Sequence, residues 1–181
     1  MAKRTIIIGD VHGCGEELQA LINKIAPTPE DELILVGDAF DRGFCGHLAW
    51  QLIQKYNIGC VLGNHEVKML EFITGHRPQG VPPHYLWTLH NMINVTKVVR
   101  QNELIGWLQS LPTLLERNDT LIAHAGINIL NPKEPSVACN VYGNPTPYDR
   151  RHGSRWWEMY DGNQLVVWGT PGDGKSSTHV L

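Results

Sequence analysis

No stretch of this chain approaches the roughly 20 consecutive apolar residues that a membrane-spanning helix needs. The N-terminus has a basic start, but its apolar run, Thr5–Ile8, is too short for the hydrophobic region of a signal peptide. Cysteine is scarce: Cys14, Cys45, Cys60 and Cys139 show no Cys-x-x-Cys spacing, which disfavours a zinc knuckle and favours reduced thiols. Cytoplasm is therefore the expected location. An excess of basic charge is also missing. The formal net charge is −3, so the chain lacks the electrostatic footprint of an extended nucleic-acid surface. Internal repeats and low-complexity segments are absent too. What remains is a 181-residue chain, 42% hydrophobic and 18% charged, which reads as one globular domain over residues 1–181.

The hydrophobic pattern gives the organisation. Thr5–Ile8 reads as a buried strand that ends at Gly9-Asp10. Leu18, Leu21, Ile22 and Ile25 recur at helical spacing behind Glu16 and Glu17, and Pro27 and Pro29 stop that helix. Residues 33–36 form a second strand, Leu48, Leu52, Ile53 and Tyr56 a second helix, and residues 60–62 a third strand. Strand, polar loop and helix thus alternate, which predicts an α/β fold with mostly parallel strands. Ligands in such folds bind beyond the carboxyl ends of the strands. Residues 76–117, broken by Pro78, Pro82 and Pro83, read as a helical cap insertion with helices over 86–99 and 102–111. Further strands are expected at 121–123 and 165–168, and residues 131–155 as a long loop over the site.

Four polar blocks stand at the strand ends. They are Gly-Asp-Val-His-Gly at 9–13, Gly-Asp-Ala-Phe-Asp-Arg-Gly at 37–43, Gly-Asn-His-Glu at 63–66 and His-Ala-Gly at 124–126. Asp10 and His12, two apart on one loop, can converge on a single ion. Asp38 has two carboxylate oxygens and can serve that ion and a second one. Asn64 offers an amide oxygen and His124 an imidazole. Mixed carboxylate, amide and imidazole ligation suits transition metals better than calcium. Two such ions would clamp a phosphate oxygen and activate a bridging water. His65 is placed to protonate a leaving alkoxide, Asp41 to orient His65, and Arg42 to grip phosphate oxygens. His47, His76, His84, His90 and His152 lack such a setting and read as packing or surface histidines. Trp156 and Trp157 read as packing on the sheet rather than as a stacking platform. Cys14 and Cys45 read as small loop residues rather than soft ligands.

The blocks, in order, resemble the phosphoprotein-phosphatase branch of the calcineurin-like metallophosphoesterases, and the resemblance covers nearly the whole chain. It implies a four-layer α/β/β/α sandwich, two mixed sheets face to face with helices outside, carrying a small helical cap. It implies that Asp10, His12 and Asp38 hold one divalent ion, that Asp38, Asn64 and His124 hold the other, and that Asp41 and His65 form the acid pair. The two ions are expected to be manganese, with iron, zinc, cobalt or nickel as alternatives. The implied reaction is hydrolysis of phosphate monoesters or nucleotide phosphoanhydrides by metal-bound hydroxide.

Two departures refine that expectation. Leu62 stands where protein phosphatases of this family carry arginine before Gly-Asn-His-Glu. A leucine there, with the 102–126 and 141–169 segments, looks more like the bacterial diadenosine tetraphosphate hydrolases, with a Ser/Thr protein phosphatase as the second reading. Arg150, Arg151 and Arg155 are candidates for a substitute phosphate fork. Arg155 is carried forward with Arg42 and Asn64 as substrate-binding. The family's last block reads Gly169-Thr170-Pro171 here, without the histidine expected after the glycine. His179 is a candidate to fold back in its place. The gap keeps open a degenerate homologue that binds phosphate or a partner, and a nucleic-acid end phosphatase stands as a further alternative. The chain also ends sooner than the family does, which leaves a sheet edge and an expectation of homodimerisation.

Overall fold

A computed structural model describes residues 3–75, 87–95, 99–124, 165–168 and 179–180. Strand β1 (Thr5–Ile8), helix α1 (Gly15–Ile25), strand β2 (Glu32–Leu35), helix α2 (Gly46–Tyr56) and strand β3 (Gly59–Cys60) alternate as the sequence pattern predicts. The three strands form a parallel sheet in the order β1-β2-β3, with Ile6 opposite Leu33 and Ile34 opposite Gly59. Helix α1 buries Leu18 and Ile22 and ends at Ala26, which is left-handed (φ 46°) directly before Pro27. Helix α3 (Asn64–Ile73) follows β3. Residues 87–89 are helical and pass into a π-helical turn, His90–Val95, and helix α4 spans Gln101–Ser110. No described helix is long and apolar enough to cross a membrane.

Strands β4 (Leu114–Arg117), β5 (Thr120–Ala123), β6 (Leu165–Trp168) and β7 (His179–Val180) build a second sheet in that order. It is mixed: β5 and β6 run parallel, whereas β4 and β7 pair antiparallel to their neighbours. The period-2 alternation of strands explains how the sheets stack. Ile34, Val36 and Val61 of the first sheet and its loops pack against Ile122 and Val167 of the second, flanked by Ile7 and Leu115. Leu33 and Leu35 face the other way and join Leu18, Ile22, Leu52 and Ile53 beneath the helices. There the rings of Phe40, Trp50 and Trp107 meet at centroid distances of 5.5–6.2 Å. The helix layer expected outside the second sheet lies outside the described residues.

Two expectations change. Leu114–Arg117 is a sheet strand, so the insertion expected over 76–117 ends before Leu114. Its hairpin with β5 turns at Asn118, left-handed at φ 52°, a single-residue signal hidden in a short segment. The helix expected over 86–99 gives way to the π-helical turn. The second sheet is mixed, as the family resemblance implies, and β7 lies along β6.

Asp31 ties the entry of β2 to β1. Its carboxylate accepts from the Arg4 guanidinium (2.6 and 3.0 Å), the Arg4 backbone (3.1 Å) and the Thr28 backbone and hydroxyl (2.7 and 3.0 Å). The Arg4 side-chain bond, followed by the Thr28 N–H, holds this carboxyl well below the usual carboxylate range. A folded-state value below the unfolded one gives stability that is full above about pH 4 and lost as the pH falls further. Asp31→Asn is therefore expected to lower the melting temperature at neutral pH. Its deficit against the parent should shrink toward zero in thermal melts taken from about pH 5 down to about pH 2.

Candidate metal centre and active site

Every candidate site residue among the described ones lies on a loop or helix start just past a strand. The backbone there is strained. His12 (φ 49°), Asp38 (φ 52°), Asp41 (φ 76°) and Arg42 (φ 68°) all sit in the left-handed region, as do Ala26, Asn57 and Asn118 at helix ends or turns. Such positions cost about 1–3 kcal/mol each and persist where the surroundings hold them. Here the first two loops are laced together: Val11 and His12 N–H donate to Asp38 O (3.2 and 2.8 Å), Gly13 N–H to Ala39 O (3.0 Å) and Gly43 N–H to His12 O (2.7 Å). A Cβ on Gly43 would run into the His12 carbonyl and the Gly13 backbone, so only glycine allows this crossing.

Asp38, 3% exposed, is the hub. Its Oδ1 accepts from His65 N–H (3.1 Å) at the start of α3 and lies 3.4 Å from His124 Nε2. Its Oδ2 lies 3.7 Å from His12 Nε2 and 3.8 Å from His65 Nε2. His124 is fully buried, and its Nδ1–H donates to Val36 O (2.8 Å), which leaves the Nε2 lone pair directed at Asn64 Oδ1, 3.0 Å away. Asn64 Oδ1 faces only acceptors in this orientation. Turning the amide would place its NH2 3.0 Å from His124 Nε2 and 3.2 Å from each Asp38 oxygen. Lone pairs of a carboxylate, an amide and an imidazole thus converge on one point, and a cation there satisfies the oxygen-inward orientation. The donor set fits a divalent transition metal.

The electrostatics agree. Burial, with the charge of nearby Asp10 adding to it, pushes the Asp38 carboxyl up to about 7 in the protein alone. Burial also lowers His12 to about 4, helped by His65 and Arg42, so its ring is neutral at pH 7, the form a metal ion would require. The metal-ligand atoms of His12, Asp38 and His65 lie within 4.8 Å of one another. The sequence reading put Asp10, not His65, with the first ion.

His65 has other commitments. Its Nδ1 donates to Asp41 Oδ2 at 2.7 Å, and Arg42 Nη2–H donates to its Nε2 at 3.2 Å. Burial lowers the His65 pKa and Asp41 opposes that shift. Asp41 is fully buried and its Oδ1 accepts from the Thr88 hydroxyl at 3.4 Å. Thr88 is itself 1% exposed and stands 47 positions further along the chain, with no motif to mark it. The exposed Arg42 guanidinium also reaches His12 Nε2 (3.4 Å), so it bridges His12 beside Asp38 and the His65–Asp41 pair.

Glu66 is the second residue that sequence reasoning missed. Its buried carboxylate accepts from the backbone N–H groups of Asp38 (2.7 Å), Ala39 (2.9 Å) and Gly63 (3.0 Å). The third helical position reaching back to the residue before the helix is the available signal. Burial and the neighbouring Asp38 push its carboxyl up to about 7. Glu66→Gln turns one acceptor oxygen into a donor group facing N–H donors. Metal affinity should fall by about 10–100-fold, as loss of a group that orients a metal ligand does; manganese titration by calorimetry measures it.

The comparisons with known proteins bear on this geometry directly. The sequence model of the calcineurin-like phosphoesterases matches residues 3–179. The chain belongs to the calcineurin-like phosphoesterase family. It is 35% identical over 162 residues to a symmetrical bis(5'-nucleosyl)-tetraphosphatase of Haemophilus ducreyi, covering 87% of this chain and 57% of that protein. It is 34% identical over 128 residues to the protein of that name from Baumannia cicadellinicola, covering 68% of this chain and 42% of that protein. The chain therefore spans about half the length of these curated relatives. A solved structure provisionally described as a diadenosine tetraphosphatase superposes with a TM-score of 0.66 at 22% identity, covering 91% of this chain and 73% of that one, and supports the fold.

Against that family pattern, the departures seen in the sequence fall into place unevenly. Leu62 is half-buried and its N–H donates to Pro112 O (2.7 Å), so no guanidinium enters the site from this position. Arg150, Arg151, Arg155 and the Gly169-Thr170 junction lie outside the described residues. So do His76, His84, His152, Trp156 and Trp157. The β7 register sets His179 opposite Trp168, which is opposite Ala123. Cys14 is exposed, and Cys45 Sγ lies 3.9 Å from Glu16 Oε1, so Cys45 has a partner away from the ion cluster.

Proposed function

We propose that this chain is a metal-dependent phosphohydrolase whose substrates are nucleotide phosphoanhydrides, with Asp10, His12, Asp38, Asn64 and His124 holding two divalent ions. The carrying observation is that the cation cradle and the acid pair share Asp38: His124 Nε2 lies 3.4 Å from one of its oxygens and His65 Nε2 3.8 Å from the other. Manganese is the ion proposed, and when bound such ions polarise the phosphate and lower the pKa of water beside it.

The protein's own groups account for the rest. The exposed Arg42 guanidinium binds the non-bridging phosphate oxygens as a planar fork. The N-terminus of α3, where Asn64 and His65 sit, adds a positive dipole end toward the same anion. With Arg42 turned from His65 Nε2 to the phosphate, His65, oriented through Nδ1 by Asp41, can take a proton at Nε2 and pass it to the leaving oxygen. The nucleotide reading is supported by relatives named for tetraphosphate hydrolysis and by Leu62 in place of a phosphate-gripping arginine. The histidine missing between Gly169 and Thr170 favours a weakened second ion site, with turnover limited by metal loading.

The test is chelator-stripped protein titrated with manganese, assayed on p-nitrophenyl phosphate, diadenosine tetraphosphate and a phosphoserine peptide. Metal-dependent turnover that is fastest on the dinucleotide is expected. A preference for the phosphopeptide would overturn the substrate, and no metal-dependent turnover on any of the three would overturn the activity.

A further inference from the structure

Among the described residues, four large hydrophobic side chains are exposed: Leu21, Phe44, Trp87 and Leu165. Two of them touch. The rings of Phe44 (74% exposed) and Trp87 (43% exposed) meet edge to face, centroids 5.1 Å apart and planes at 84°. Such a pair leaves ring faces open to a flat third group. Its position is tied to the site from both sides. Phe44 stands two residues beyond Arg42, within about 7 Å along the backbone, and Arg42 reaches His65 Nε2 at 3.2 Å. Trp87 precedes Thr88, whose hydroxyl donates to Asp41 Oδ1.

The pair is also held in place. Asn91 Nδ2–H donates to Phe44 O at 3.4 Å. Met92, 1% exposed, seats the same turn over Gly46, where a Cβ would approach its Sδ to 3.1 Å. Thr88, Asn91 and Met92 therefore anchor one short segment, and Trp87 projects from it. A rigid aromatic surface beside a phosphate-gripping guanidinium suits a ligand that is anionic at one end and flat at the other. A preformed surface of this kind binds without the cost of ordering it.

We propose that Phe44 and Trp87 form the seat for the nucleobase of a nucleoside polyphosphate whose phosphates lie at Arg42 and the ion cluster. This inference rests on the functional reading above for the phosphate end, and it adds specificity determinants that the four polar blocks do not contain. Stacking on an aromatic ring is tolerant of base identity, so the seat distinguishes nucleotides from bare phosphates rather than adenine from guanine. The Thr88–Asp41 hydrogen bond joins the same segment to the acid pair, so base binding and proton delivery share one anchor.

The test is calorimetric binding of ADP and of inorganic pyrophosphate to the intact protein with saturating manganese, for the parent and for Phe44→Ala, Trp87→Ala and Trp87→Phe. The parent is expected to bind ADP about tenfold or more tightly than pyrophosphate. Each alanine variant should lose most of that ratio while its pyrophosphate affinity stays within about twofold, and Trp87→Phe should recover most of it. Equal affinity of the parent for the two ligands would overturn the seat, and so would an ADP-to-pyrophosphate ratio unchanged in both alanine variants. Phe44 is the more exposed ring, so its variant decides the matter if Trp87→Ala unfolds. Binding needs no turnover: an inactive parent that prefers ADP would sink the phosphohydrolase reading and leave the base seat standing.

Discussion

Asp38→Asn is expected to remove metal-dependent hydrolysis by more than about a hundredfold, beyond the 10–100-fold that losing a mere supporting partner of a metal ligand costs. The size follows from the number of jobs on one side chain. Its two oxygens face His124 and His65 or His12 on opposite sides, and one of them also receives the His65 N–H that starts α3. Asparagine keeps the shape and one acceptor oxygen, so the His65 N–H bond can survive and the fold should stand. What it loses is the negative charge and the second acceptor, which a pair of cations sharing one carboxylate needs. Elemental analysis after gel filtration in manganese-saturated buffer checks this independently of rate: the variant should hold at least one manganese fewer per chain than the parent. Full stoichiometry in an inactive variant would place the role of Asp38 in the reaction rather than in ion binding.

The parts of this centre that were legible in the sequence are those whose signal is local. Asp38, Asn64 and His124 each stand just past an apolar run, and the glycine directly before Asp38 and Asn64 marks a backbone that must turn sharply. The four left-handed residues of the site were not announced by composition, because histidine, aspartate and arginine reveal φ only through the hydrogen bonds that lace the loops. Glu66 and Thr88 were missed for a different reason. Their partners, Asp38 and Asp41, lie 28 and 47 positions away, and distances of that kind are set by the fold. The sandwich was hidden because both faces of β2 are apolar: Leu33 and Leu35 point at the helices, Ile34 and Val36 at the second sheet. A run without alternation says that a strand is covered on both sides, but not by what. It took the resemblance to a known family to supply the second sheet, and the structure to show that Leu114–Arg117 belongs to it.

His65→Gln should separate proton delivery from ion binding, because the two roles respond differently to the leaving group. A general acid contributes about 10²–10⁴-fold where the departing oxygen is basic, and far less where it leaves readily as an anion. Hydrolysis of an alkyl phosphate should therefore fall by about that factor, while p-nitrophenyl phosphate, whose leaving group needs no proton, should lose less than about tenfold. Manganese stoichiometry should not change. The geometry supplies the rival account, since His65 Nε2 lies as near Asp38 as His12 Nε2 does, at 3.8 against 3.7 Å. If His65 were an ion ligand, both substrates would suffer alike and manganese would be lost with the side chain. The 2.7 Å bond from His65 Nδ1 to buried Asp41 fixes the ring for either role, because proton donors and metal-ligating histidines both lean on such a carboxylate. The manganese count and the split between the two substrates therefore decide between the roles, and the split with an unchanged count is the expected result.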